Sequence, residues 1–311
     1  MVTFEAFWWG LMLEVSVAGL RLRHPVMNAS GILGSEPEHV EILAGYGVSA
    51  VVTKTITPEP REGYPPPIVV ELANGGLLNA VGLANPGVSA VRGIVEKARS
   101  LGVPIVVSAG GRTLEDFIVV AAEAEKWGAS AVELNLSCPH TRGYGIEIGA
   151  DPANVYEVVK NTASTVKIPV LAKLGLADRV VEASGKALEA GARGLTLINT
   201  VKAIAIDVYS AKPILSNIHG GLSGPPIKPI AVRVVYDVYR EYEADIVGCG
   251  GITSWVDAAE FILAGARAVQ VGTALALRPG VVREIIEGLE QWAARLGARS
   301  VSDLVGAAHR R

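Results

Sequence analysis

The chain has 311 residues, half of them apolar and 19% charged, with a formal net charge of −3. That length and apolar content support a large buried core and exclude a disordered chain, and the charge gives no electrostatic reason to expect a nucleic-acid partner. Two cysteines, Cys138 and Cys249, are too few for a disulfide scaffold or a four-thiolate iron–sulfur cluster, and they fit a reducing, cytoplasmic compartment.

The chain opens MVTFEAFWWGLMLEV. The apolar run 7–13 lacks a basic flank and a cleavage site and is too short for a bilayer. Neither a signal peptide nor a membrane span is expected. Two readings of residues 1–12 stand: an arm packed on the body, or an N-terminal extension upstream of Met12.

Short apolar runs then alternate with helical patterns. Strands are expected at 25–28, 50–54, 104–108, 131–136, 169–173, 194–199, 245–249 and 268–271. Runs such as SAVVTK, VPIVVS and IPVLAK are continuously apolar, as suits parallel strands covered on both faces. Helices are expected at 37–46, 89–101, 113–127, 151–165, 177–190, 229–241, 254–264 and 281–296. Several stop at glycine, as in KWGA and LAGA, the usual left-handed terminator. Eight strand–helix units with no linker predict one domain, a (β/α)8 TIM barrel; an open doubly wound sheet is the alternative. The connections after strands two and six, 55–89 and 200–229, are longer than a barrel needs. Loops of that length are usually functional or disordered.

The strand ends are polar. Strand one ends NASG (28–31), strand two at Lys54 and Thr55, strand three at Ser108. Strand four ends with Asn135, Ser137 and Cys138, strand five at Lys173, strand six at Asn199 and Thr200. Strands seven and eight end GCGG (248–251) and VGTA (271–274). A barrel gathers all eight at one mouth, where such enzymes build their sites. Gly250, Gly251, Gly272 and Thr273 offer backbone N–H groups where barrels commonly bind phosphate; tight βα turns are the other reading. Lys173 needs an anionic partner, either a reduced flavin or a structural ion pair. Cys138, at a strand end before Pro139, reads as a general base, and Cys249 among the glycines reads as packing.

In combination, NASG, TKT, NAVGLANPG (79–87), NLSCP, AKL, INT, GGLSGPPIKPIA (220–231), GCGGI and VGTAL resemble the class 1 dihydroorotate dehydrogenases. The likeness runs from about Leu13 to Leu277. It implies an FMN-binding (β/α)8 barrel that oxidises dihydroorotate to orotate in pyrimidine biosynthesis. Cys138 would remove a proton from C5 while hydride leaves C6 for flavin N5. Substrate contacts would come from Lys54, Asn79, Gly82, Leu83, Asn135, Asn199 and Thr200. Flavin and ribityl contacts would come from Ala29, Ser30, Gly31, Lys54, Thr55, Ser108, Asn135, Lys173, Ile198, Ser223 and Gly224. Cys249 would border the phosphate held by Gly250, Gly251, Gly272 and Thr273.

Within the class, AIDVYSAKPILSN (205–217) is similar to the NAD-linked branch, in which FAD and an iron–sulfur cluster sit on a partner subunit. A homodimer, or a heterotetramer with that partner, is the family expectation. His140 departs from the family, which has asparagine after NLSCP, and NLSCPH looks like dihydropyrimidine dehydrogenases. His140 has three readings: a donor to the ring, a tuner of Cys138, or a solvated side chain. Uracil or thymine reduction is therefore an alternative. So is a non-flavin phosphate-binding barrel, an aldolase or isomerase with a Schiff base on Lys173.

Overall fold

The computed structural model describes residues 12–137 and 149–310. Residues 1–11, and with them most of the proposed extension, lie outside the described residues, as do Cys138 and His140. Eight parallel strands form one sheet: β1 (Val26–Asn28), β2 (Val51–Val52), β3 (Ile105–Ala109), β4 (Ala131–Asn135), β5 (Val170–Leu174), β6 (Gly194–Leu197), β7 (Ile246–Cys249) and β8 (Ala266–Val271). Their spatial order is β1-β8-β7-β6-β5-β4-β3-β2. The remaining seam lies between β1 and β2, where Ser49 N donates to Val26 O at 2.9 Å and the Asn28 side chain bonds the backbone of Val52. The sheet is a (β/α)8 barrel, as the alternation of elements predicts.

Each strand is followed by a helix: α1 (Pro37–Gly45), α2 (Val91–Ser100), α3 (Leu114–Trp127), α4 (Pro152–Thr165), α5 (Val180–Glu189), α6 (Lys228–Tyr242), α7 (Trp255–Ala264) and α8 (Val281–Arg295). Local chemistry fixes their ends. Thr113 and Asp116 form a reciprocal capping box on α3, and Gly128 closes it at φ 89°. Ser254 caps α7 through the Asp257 amide. Strands β3, β4 and β5 are buried at every residue, because helices cover one face and the barrel interior the other. Among the described residues no helix is long and apolar enough to cross a membrane.

An antiparallel hairpin, Val15–Val17 with Leu20–Leu22, lies against the starts of β5, β6 and β7. The Ala18 amide donates to Asp245 Oδ2 at 2.7 Å, just before β7. A Cβ on Gly194 would meet that of Ala18 at 2.9 Å.

The two long connections are neither loose nor independent. They supply a four-stranded antiparallel sheet in the order Val201–Ile204, His219–Ser223, Leu77–Asn79, Val69–Glu71. Gly221 pairs with Asn79 and Leu222 with Leu78. Leu78, Ala80 and Leu215 form a small separate core, with Tyr64, Leu72 and Leu222 packed on it. Both parts emerge from the C-terminal ends of barrel strands, so this sheet covers the mouth.

Candidate active site

The polar strand ends converge. Ser30 Oγ donates to Thr53 O at 2.9 Å and lies 3.3 Å from Thr55 Oγ1. Thr55 Oγ1 is 3.0 Å from Ser108 Oγ and accepts from Asn135 Nδ2 at 3.0 Å. Asn135 Oδ1 accepts from Asn199 Nδ2 at 3.2 Å, and Asn199 Nδ2 also donates to Ser137 Oγ at 3.0 Å. Asn199 Oδ1 accepts the Thr200 amide at 2.8 Å. One continuous network therefore links the ends of β1, β2, β3, β4 and β6. A primary amide has two donors and two acceptor pairs. Asn135 Oδ1 also accepts from the Ser137 amide at 3.4 Å, and subtracting all these bonds leaves Asn135 one N–H and Asn199 one acceptor pair on Oδ1. The network also pins Ser137, which is buried and immediately precedes Cys138.

Lys173 lies one layer deeper. Its Nζ donates to Gln270 Oε1 at 3.1 Å and stands 3.5 Å from Glu133 Oε1. Glu133 Oε2 accepts from Thr196 Oγ1 at 2.8 Å and Gln270 Nε2 at 2.7 Å. Burial, the largest single influence, pushes the Lys173 ammonium down, but nearby negative charge, Glu133 first and then Cys249, together outweighs it, and the net effect is upward. A lysine held as ammonium is a poor nucleophile, which counts against a Schiff-base barrel. Burial also pushes the Cys249 thiol up, in line with the packing reading. Lys54 is different: burial alone lowers its pKa, and its ammonium has no hydrogen-bond or ion-pair partner among the described residues.

These groups border one cavity of about 250 Å³. Its described lining contains two charged residues, Lys54 and Lys173, and no carboxylate. At one end lie Gly250, Gly251, Gly272 and Thr273, whose N–H groups donate to no other group among the described residues. Gly250 and Gly251 have φ of 127° and 78°, and a Cβ on Gly251 would stand 2.8 Å from Gly224 O. The glycines thus serve both readings: they permit the close approach of α6, and they leave amides open to an anion. Thr273 Oγ1 donates to Ser223 Oγ at 2.8 Å, tying β8's end to the covering sheet. Free amides at one end, apolar wall at Ala29, Ile198, Ile227 and Ile252, and an ammonium at Lys173 fit a flavin mononucleotide.

The connection after β2 forms the remaining wall. Asn79 Nδ2 donates to Gly221 O at 3.1 Å. Gly82 and Leu83 both lie in the left-handed region, at φ 76° and 58°. Asn85 holds this turn: its Oδ1 accepts the amides of Thr57 and Gly87 at 3.1 and 2.9 Å, and its Nδ2 donates to Leu83 O at 2.7 Å.

Of the expected site residues, all but two line this cavity. Ser108 is fully buried behind Thr55 and does not reach it. Cys138 lies outside the described residues. Sequence reasoning missed Glu133, Gln270 and Asn85. The signal for Glu133 was present: a lone carboxylate within the apolar run AVELN needs a buried partner.

The sequence pattern of the dihydroorotate dehydrogenase family matches residues 12–292. The chain is 53% identical over 300 residues to a protein of Aeropyrum pernix provisionally named dihydroorotate dehydrogenase A (fumarate), covering 96% of this chain and 98% of that protein. It is 48% identical over 301 residues to the Pyrococcus abyssi protein named dihydroorotate dehydrogenase B (NAD(+)), catalytic subunit, covering 96% and 99%. A Thermoplasma volcanium protein with that second name is 42% identical over 301 residues, covering 96% and 99%.

Proposed function

Because the chain belongs to the dihydroorotate dehydrogenase family, we propose a division of labour at its barrel mouth in which Cys138 is the base and Lys54 the anchor of the substrate carboxylate. The family reaction is oxidation of dihydroorotate to orotate in pyrimidine biosynthesis, with FMN as cofactor. Bound FMN supplies the acceptor for the hydride. The chain's own residues do the rest. The N–H left on Asn135 and the acceptor left on Asn199 match the alternating C=O and N–H groups of a pyrimidine ring. The cavity wall of the 79–87 turn excludes water. Cys138, attached to the pinned Ser137, takes the proton from C5. His140 stands two residues further on and keeps the three readings given above.

The observation that carries this reading is the charge of the cavity: two lysines and no carboxylate among its described lining. Such a wall suits a carboxylate substrate and a cofactor that becomes anionic on reduction. Replacing Cys138 with serine tests it. The variant keeps FMN and its flavin is reduced by dihydroorotate far more slowly at neutral pH; an unchanged rate would place the base elsewhere.

For the electron acceptor we favour the NAD-linked arrangement, with FAD and an iron–sulfur cluster on a partner subunit and this chain as catalytic subunit in a heterotetramer. Relatives named as NAD(+)-type catalytic subunits support it. With two cysteines, this chain lacks the thiolates for such a cluster of its own. Co-purification with an iron–sulfur flavoprotein supports the arrangement; efficient turnover with fumarate alone favours a self-sufficient homodimer.

A further inference from the structure

Among the described residues the barrel interior contains one ionic cluster, and the reaction described above does not require all of it. Lys173 from β5, Glu133 from β4, Gln270 from β8 and Thr196 from β6 meet directly beneath the cavity. Glu133 is 0% exposed and Lys173 3%. Gln270 bridges them: its Oε1 accepts from the ammonium and its Nε2 donates to the carboxylate. The opposite amide orientation would set its NH2 against the ammonium. Glu133 Oε2 has two donors, whereas Oε1 accepts no hydrogen bond and faces Lys173 across 3.5 Å. An ammonium has three N–H groups; with one on Gln270 and one turned toward Glu133, one remains for the cavity that Lys173 lines.

We propose that Glu133 is a positioning residue for the cofactor: it anchors Lys173 at the cavity wall in the charged form, and so sets how strongly the site favours reduced over oxidised flavin. The proposal rests on the flavin reading given above. A buried ion pair seldom adds stability over apolar packing, yet here it spends a fully enclosed carboxylate on one lysine that faces the ligand. A reduced flavin carries negative charge, and a nearby ammonium stabilises it relative to the oxidised form. Without the carboxylate, burial favours the neutral amine. The titratable groups acting on Lys173 among the described residues are Glu133 and Cys249. Burial raises the Cys249 thiol and so disfavours its thiolate, and Gln270 and Thr196 do not titrate, so Glu133 supplies the main opposing charge.

The test is the midpoint potential of bound FMN in the full chain, measured from about pH 6 to about pH 9. The parent protein shows no break from Lys173 in that range. In Glu133→Gln the potential breaks downward as the lysine loses its proton, by about 30 mV or more, a tenfold shift in the two-electron equilibrium. Adding Lys173→Met to that variant abolishes the break. A Glu133→Gln profile parallel to the parent's, with FMN bound, overturns this proposal alone. A parent protein that takes up no FMN overturns the flavin reading and this proposal with it. Should Glu133→Gln fail to fold, Glu133→Asp carries the test. Its shorter side chain weakens the pair and brings the break in at higher pH, and coincidence with the parent profile contradicts the proposal.

Discussion

Asn28 and Val52 are joined twice: Asn28 Nδ2 donates to the Val52 carbonyl at 2.7 Å, and the Val52 amide donates to Asn28 Oδ1 at 2.9 Å. A side-chain amide thus takes the place of a strand neighbour at the seam where β1 and β2 meet. Both partners are fully buried. The residues that follow them, Ala29 to Gly31 and Lys54 to Thr55, line the cavity, so the seam sets two of its walls.

Replacing Asn28 with leucine leaves a buried N–H and a buried C=O at Val52 without partners. Each costs roughly 1–3 kcal/mol, so the variant loses about 2–6 kcal/mol of stability, read from a denaturant titration. It also binds FMN more weakly. An apolar side chain that left both quantities unchanged would show that the seam is held by packing alone.

Lys54→Met removes the cavity ammonium that has no partner among the described residues. A hydrogen bond to a charged group is worth roughly 1.5–3 kcal/mol, so KM for dihydroorotate rises about tenfold or more, while FMN stays bound. Burial holds the Lys54 pKa below its ordinary 10.5. The ammonium is therefore lost at a lower pH than for a free lysine, and substrate binding weakens with rising pH sooner than an exposed lysine would allow. A steady-state pH profile of parent and variant reads this: the alkaline rise in KM belongs to the parent and vanishes in Lys54→Met.

His24 sets an acid limit on stability. It is buried at the start of β1, with Nε2 3.0 Å from Gly47 O and Nδ1 accepting the Val26 amide at 3.3 Å. Burial first, and then the neighbouring Arg23, lowers its pKa from 6.5 to about 4. The folded state therefore holds a neutral imidazole that the unfolded chain protonates more readily. Its contribution is fully present above about pH 6.5, falls as the pH drops, and is lost near pH 4. The amount is about 3 kcal/mol. In His24→Gln this part of the acid sensitivity disappears from unfolding curves taken across that window.

The eight barrel strands were legible because each is an uninterrupted apolar run, and the helices because caps and glycines mark their ends. Expected and observed limits differ by one to three residues at most strands and helices. The covering sheet was not legible. Its central pairing, Asn79 with Gly221, joins two connections far apart in sequence, and each strand alone is too short and too rich in glycine to carry a pattern. The cavity's backbone glycines and asparagines were readable as strand ends. Asn85 was not, because its role is to bond the turn that contains it. Glu133 was overlooked because its partner sits on the next strand, and only the parallel register sets Asn135 opposite Lys173 and Thr196 beside it.

The absorbance of bound flavin during anaerobic addition of dihydroorotate probes the barrel-mouth site most directly. The purified protein, reconstituted with FMN, shows flavin bands that bleach on adding dihydroorotate and do not bleach on adding dihydrouracil. A protein that binds no flavin, or whose flavin stays oxidised with dihydroorotate and is reduced by dihydrouracil, would contradict the assignment of this cavity.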